Sequence, residues 1–366
     1  MRKSFIASTT AAAVMGVALY STAQADITIT SWGGAYTASQ QKAYGATWDK
    51  GGNDNINWVN YNGGLGEART QVTSGAVTWD ILDVLASDAR VGCDEGLFEE
   101  LDRSMFKAAP DGTSMDEDII VDVPNDCVVP QIFWSYMAFY KKGTFQGDQP
   151  STIADFFDVG KYPGKRAIHT WPNALLEMAL VADGVAVGEV YDVLDTDEGI
   201  DRAFAKLDAI KEHSVFWSAG AKPLELVQSG EASIGEAYNG RVGAAILDEG
   251  AEFVPIWDGQ VLEEEWLVLL NGAPNRDEAI DFLVHASTTE SSAEQAKYIN
   301  YGPMRGSAFE IVKANEPWYH TGENIMPHMP NRPAVMDRSV VANPDWWADN
   351  GDAVTERYTA WMGQEG

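Results

Sequence analysis

Two cysteines and five histidines in 366 residues leave little material for metal or redox chemistry. His169, His213, His285, His320 and His328 are scattered, and no H-E-x-x-H pair sets two of them on one helix face. No G-x-S-x-G elbow presents a serine nucleophile. The stretch NGGLGEAR, from Asn62, has the glycines of a phosphate-cradling loop but neither its lysine nor a dinucleotide spacing, and reads as a strand-to-helix turn. Positive charge is also scarce, with 25 Lys and Arg against 55 Asp and Glu, for a formal charge of -30. Such a surface repels nucleic acid and anionic lipid and attracts cations, and it equally keeps a protein soluble in a salty medium. Beyond the N-terminus no apolar run reaches the roughly 18–20 residues of a membrane-spanning helix. Internal repeats and low-complexity linkers are missing, which excludes separate domains strung on a tether. No catalytic residue, metal site or cofactor is expected.

What is present begins at the N-terminus. Arg2 and Lys3 precede the small-apolar stretch FIASTTAAAVMGVALY and then Ala23-Gln24-Ala25. This order of charge, apolar run and A-x-A site predicts a signal peptide over residues 1–25, cleaved after Ala25. No cysteine follows the site, so no lipid anchor is expected there. In an exported chain the isolated pair Cys93 and Cys127 is expected to form a disulfide, and its spacing fits no zinc or thioredoxin pattern. Closing a loop of that size is worth roughly 3–4 kcal/mol.

Strand-like and helix-like stretches then alternate. DITIT, INWVNYN and WDILDVLAS read as strands, with helices over residues 38–49 and in GLGEARTQVTSG. A second unit follows, with the strand AIHT, helices in WPNALLEMALVADG and DEGIDRAFAKLDAIKEH, and helix, strand, helix through LELVQSGEASIGEAYNGRVGAAILDEG. FVPIW and WLVLL read as two further strands, and NRDEAIDFLVHAST and DNGDAVTERYTAWM as helices. The alternation predicts an α/β fold with mostly parallel sheets, in which ligands gather beyond the carboxyl ends of the strands.

Several of these stretches resemble a known family. SWGGAY after the first strand, WDILDVLASDARVGCDEGLFEELD, PSTIADFFDVGKYPGKRAI, LVQSGEASIGEAYNGR, NRDEAIDFLVHAST and INYGPMRGSA are similar to segments of the periplasmic solute-binding proteins of ABC importers. Within that superfamily the likeness is to the spermidine/putrescine-binding branch, over nearly the whole mature chain. The resemblance implies the type II periplasmic-binding fold of two lobes joined by a hinge. Lobe 1 would comprise residues 26–135 plus 264–302, and lobe 2 residues 136–263 plus 303–366. It also implies a periplasmic monomer without a cofactor, which closes on a small molecule in the interlobe cleft and presents it to an ABC permease in the inner membrane.

In polyamine-binding relatives, aromatic rings sandwich the alkyl chain and carboxylates hold the ammonium ends. Trp32 and Tyr36 match the aromatic pair after the first strand, where Gly33-Gly34 lets the backbone turn. Tyr238, in AYNGR, matches a cleft tryptophan, and Tyr301 the tyrosine of the Tyr-Gly-Pro turn. Ser87 and Asp88 end the third strand, where relatives place contacts; capping of the next helix is the alternative. Glu265 takes the acidic position before a crossing strand. In the run EEE an alternating strand puts Glu263 and Glu265 on one face and Glu264 on the other. Two positions depart from the pattern: the acids expected after the second lobe's first strand are Trp171 and Ala174 here. Arg241, three residues past Tyr238, is placed either to clamp a carboxylate bidentately or to make a structural ion pair.

The leading expectation is therefore a binding protein for a small organic cation, a polyamine by family. A zwitterion such as 4-aminobutyrate or a betaine is the alternative, since Arg241 with a cleft glutamate would suit one. A ligand-sensing partner of a membrane receptor would use the same cleft. An exported hydrolase is disfavoured, because no nucleophile or metal constellation is present.

Overall fold

Strands separated by helices assemble in this chain into one mixed sheet, its central strands buried on both faces and its edge strands partly exposed. The computed structural model describes residues 26–315 and 317–363. The signal-peptide segment, residues 1–25, lies outside the described residues. The strands are β1 (Ile27–Ser31), β2 (Ile56–Asn60), β3 (Ile81–Leu85), β4 (Val128–Lys141), β5 (Arg166–His169), β6 (Ser214–Trp217), β7 (Ile234–Tyr238), β8 (Phe253–Leu269), β9 (Gly302–Pro303) and β10 (Val340–Val341). Their order is β2-β1-β3-β8-β4-β7-β5-β6, with β10 on β8 and β9 on β4. Pairing is parallel within β2-β1-β3 and within β7-β5-β6. It is antiparallel where β3 meets β8, β8 meets β4 and β4 meets β7.

The long strands β4 and β8 join the two parallel sets. β8 is one strand, where the sequence reading predicts two short ones separated by the acidic run. The polar stretch does not break it because Glu263 and Glu265 are themselves buried. β4 is not predicted from the sequence at all. Its residues from Val128 to Tyr140 are all buried, so no alternation marks the strand, and Pro130 argues against a central position. The proline is accommodated beside a register shift between Pro130 and Ile132. The expected lobe boundaries, 135/136 and 263/264, fall inside these two strands near facing positions, since Trp134 pairs with Glu263 and Ser135 with Leu262.

Two large cores flank this junction. One holds Ile27, Ile29, Val84, Trp266 and Phe282. The other holds Phe156, Leu176, Met178, Leu207 and Tyr358. The last helix, Pro344–Gly363, starts earlier than the sequence predicts. Asp345 at its start pairs with Arg90 at 2.9 Å, and Trp361 near its end meets the Phe204 ring at 6.5 Å. Cys93 and Cys127 form the expected disulfide, with Cα atoms 6.1 Å apart, tying the helix Ala86–Asp94 to the start of β4.

Candidate ligand-binding cleft

β1 ends at Ser31 and delivers Trp32 to the carboxyl edge of the sheet. Gly33 and Gly34 follow with φ of 74° and 60°, and the helix Gly34–Ala43 begins at once, earlier than predicted. Tyr36 therefore sits in a first helical turn. A Cβ on Gly34 would lie 2.5 Å from Arg241 Nη1, so any side chain there would push the guanidinium aside, and the positive φ itself favours glycine.

Trp32, Tyr36, Trp171, Tyr238, Arg241, Glu265 and Tyr301 line one cleft, with an empty volume of about 620 Å³ counting its open mouth. The sequence analysis misses other walls of it, notably Tyr61, Ile132, Trp134 and Tyr136. Three of these stand at alternating positions of β4, the strand that escapes detection. Tyr61 follows the end of β2, and the rule that found Trp32 beyond β1 would have found it too. The Trp32 and Tyr61 rings lie 4.8 Å apart, Trp134 and Tyr136 4.8 Å, and Tyr36 and Tyr301 5.6 Å edge to face.

Glu265 is 2% exposed. Trp32 Nε1 donates to its Oε1 at 2.6 Å and Trp134 Nε1 to its Oε2 at 2.9 Å. No Lys, Arg or His forms an ion pair with it among the described residues. Burial, reinforced by the negative charge of Asp83, pushes its carboxyl well above the usual range, and the two indole hydrogen bonds oppose that shift. Asp83 lies behind the cleft. It accepts from Gln40 Nε2 at 2.6 Å and Ser31 Oγ at 3.0 Å, with the Tyr36 hydroxyl 3.0 Å from its other oxygen. Burial pushes it up to about 7, and the same bonds fix the Tyr36 ring.

Arg241 stands on the helix Asn239–Leu247. Its Nη2 lies 3.5 Å from the Trp32 carbonyl, its guanidinium carbon lies 5.8 Å from the Tyr238 ring centre, and its buried Nε has no partner. The structural ion pair weighed for it from sequence is not made with any carboxylate among the described residues. The cleft therefore carries a carboxylate and a guanidinium, each without a counter-charge.

Ser87, Asp88 and Glu263 are not among the cleft's walls. β3 stops at Leu85, so Ser87 and Asp88 already belong to the helix Ala86–Asp94, and neither caps it. Asp88 instead accepts from the Gly64 backbone, and burial pushes it up to about 6. Glu263 shares a strand face with Glu265 but neighbours Glu177, whose charge adds to burial in raising its carboxyl. Glu264 takes the opposite face, where Trp266 Nε1 donates to it at 3.2 Å. Ala174, at the start of the helix Leu175–Ala182, is fully buried with φ of 67° and is not a wall residue either. Among the described residues no three metal-ligating side chains converge, and no helix is long and apolar enough to cross a membrane.

Comparison with known proteins gives the fold and the family. A gamma-aminobutyric acid-binding protein of Pseudomonas aeruginosa is 31% identical over 351 residues, covering 95% of each chain. The binding protein MotA of Agrobacterium tumefaciens B6, solved in complex with glucopine, is 29% identical with a TM-score of 0.81, covering 92% of this chain and 99% of that one. A solved GABA receptor is 28% identical with a TM-score of 0.75, covering 93% of this chain and 98% of that one. These likenesses give the sheet and its helices the α/β periplasmic-binding fold. The family description "Bacterial extracellular solute-binding protein" matches residues 49–327, and the chain belongs to that family.

Proposed function

We propose that the protein is the substrate-binding component of an ABC transporter and captures a zwitterionic ω-amino acid of the 4-aminobutyrate class. One observation carries this reading: Glu265 and Arg241 line the same cleft and neither has a counter-ion. An ammonium group meets Glu265, a carboxylate meets Arg241, and the rings of Trp32, Trp134 and Tyr238 cover the methylenes between them. A polyamine would bring a second ammonium towards the guanidinium, like charge against like, which moves the ligand reading from polyamine to zwitterion. The relative in Pseudomonas aeruginosa that binds gamma-aminobutyric acid supports the same choice. The seven predicted residues that line the cleft are the proposed ligand contacts.

The two cores on either side of β4 and β8 support two lobes, residues 26–135 plus 264–302 and residues 136–263 plus the remainder, that close on the ligand. Closure in the periplasm would then present the loaded form to a permease, the protein acting as a monomer and without catalysis.

A thermal-shift panel of putrescine, spermidine, glycine betaine and 4-aminobutyrate tests the ligand. Saturation near a thousand times Kd stabilises the folded state by about 4 kcal/mol, a shift easily read. The largest increase is expected with 4-aminobutyrate. Stabilisation by putrescine with none by 4-aminobutyrate would return the site to the polyamine reading.

A further inference from the structure

Behind the cleft wall, His169 is 1% exposed at the end of β5 and is hydrogen-bonded on every side. Its backbone N–H donates to Glu236 Oε2 at 2.9 Å, and its carbonyl accepts from the Tyr358 hydroxyl at 2.8 Å. Its ring makes two further contacts: the Trp171 backbone N–H donates to Nδ1 at 2.8 Å, and Nε2 lies 3.3 Å from the Tyr238 hydroxyl. These contacts leave one tautomer. A backbone N–H can only donate, so Nδ1 must offer its lone pair and cannot carry a proton. A neutral ring then holds its hydrogen on Nε2, and a doubly protonated ring would set N–H against N–H. The Nε2–H therefore donates to Tyr238.

Donation from the histidine fixes what the phenol can do. The Tyr238 oxygen is an acceptor towards His169, so its own proton points elsewhere. Tyr136 pairs with Tyr238 across β4 and β7, with ring centres 5.2 Å apart, and both tyrosines line the cleft. Neither hydroxyl donates to a protein carboxylate or carbonyl among the described residues. The Tyr238 phenolic proton is thus left for the cleft, beside Arg241. With the other tautomer, Tyr238 would donate into the histidine and turn lone pairs outward, a surface suited to an ammonium group.

We propose that His169 is a positioning residue that sets the polarity of this wall, making Tyr238 a hydrogen-bond donor to an anionic group of the ligand alongside Arg241. Trp171 N–H, His169 and the Tyr238 phenol form a chain in which every hydrogen bond runs towards the cleft. This wall accepts a carboxylate and rejects an ammonium, while Glu265 does the reverse. Orientation of an amino acid in the site then follows from the direction of the chain and from two opposite charges together. The inference rests on the zwitterion reading for its ligand, but the polarity of the chain does not depend on that reading.

Nitrogen NMR of the full protein labelled at histidine tests the polarity without any ligand. The expected result is a neutral His169 ring carrying its proton on Nε2 at every pH from mildly acidic to mildly basic. A proton on Nδ1, or a charged ring, overturns the proposal. Calorimetry with 4-aminobutyrate then tests the consequence. Y238F should weaken binding by about 10- to 150-fold, the worth of one hydrogen bond to a charged group. H169F should weaken it similarly, whereas H169Q, whose amide can both accept from Trp171 and donate to Tyr238, should restore most of the affinity. Binding by Y238F as tight as by the natural protein overturns the donor role. If the natural protein ignores 4-aminobutyrate, the ligand reading falls, and the NMR result alone decides the polarity of the chain.

Discussion

Replacing Glu265 with glutamine keeps the side chain's volume and removes its charge. One indole donates to each of its carboxylate oxygens, at 2.6 and 2.9 Å, and a carboxamide has only one oxygen to offer. Its NH2 group must then face the other indole N–H, donor against donor. Binding suffers twice. The ligand ammonium loses a charge-assisted hydrogen bond, worth about 1.5–3 kcal/mol, and one tryptophan loses the anchor that holds its ring against the methylene chain. The first loss alone weakens binding by about 10- to 150-fold at 25 °C. The unliganded protein, by contrast, gives up an unpaired buried carboxylate, a group costly to ionise, and this offsets the misaligned indole. Calorimetry with 4-aminobutyrate should therefore show a large loss of affinity, while the melting temperature without ligand changes little. Equal affinity in the two proteins, with the fold intact, would place the ammonium away from Glu265 and refute the reasoning.

Other perturbations probe the rest of the structure. G34A forces φ of 60° on a residue with a Cβ only 2.5 Å from Arg241 Nη1, so the guanidinium must move; calorimetry should show affinity for 4-aminobutyrate falling by about tenfold or more. Unchanged binding would remove Arg241 from the carboxylate's partners. Burial pushes Asp83 up to about 7 and Glu236 up to about 8, so near neutrality the folded state binds more protons than the unfolded one. That stability is full below the ordinary carboxylate range and is lost as pH rises through the raised values; the urea midpoint of the unliganded protein should fall between about pH 6 and pH 8.5, and a rising midpoint would contradict it. Reducing Cys93–Cys127, which spans a separation of 34 residues, should cost about 3–4 kcal/mol in denaturant titrations with and without reductant.

Much of the fold is legible in the sequence because short parallel strands and amphipathic helices write their periods locally. β1, with the alternating ITIT, and β3, with the mostly apolar ILDVL, are each marked by a short local pattern ending near a turn. β4 is illegible for the opposite reason: buried on both faces, it has no period, and Pro130 imitates a break. The site divides along the same line. Trp32, Tyr238 and Tyr301 are readable from motifs near strand ends, whereas Trp134 and Tyr136 depend on a strand that leaves no signature. The run EEE shows the limit of local alternation. It separates Glu264 from its neighbours, but only the tertiary neighbourhood distinguishes Glu265, between two indoles, from Glu263, beside Glu177. His169 is harder still, because its role comes from what a backbone N–H and a phenol do to its two ring nitrogens.

The double indole clasp on Glu265 also makes the cleft luminous. Trp32 and Trp134 both point their N–H groups at one carboxyl group, so the charge state of that group is felt at the edge of both chromophores. An ammonium group bound as proposed pairs with the ionised carboxylate and displaces solvent from the same ring faces. Both changes alter the energy of the indole excited state, and emission from these two side chains registers occupancy directly. The residues proposed to grip the ligand are thus its built-in optical reporters, and replacing either tryptophan with phenylalanine assigns the signal to one wall.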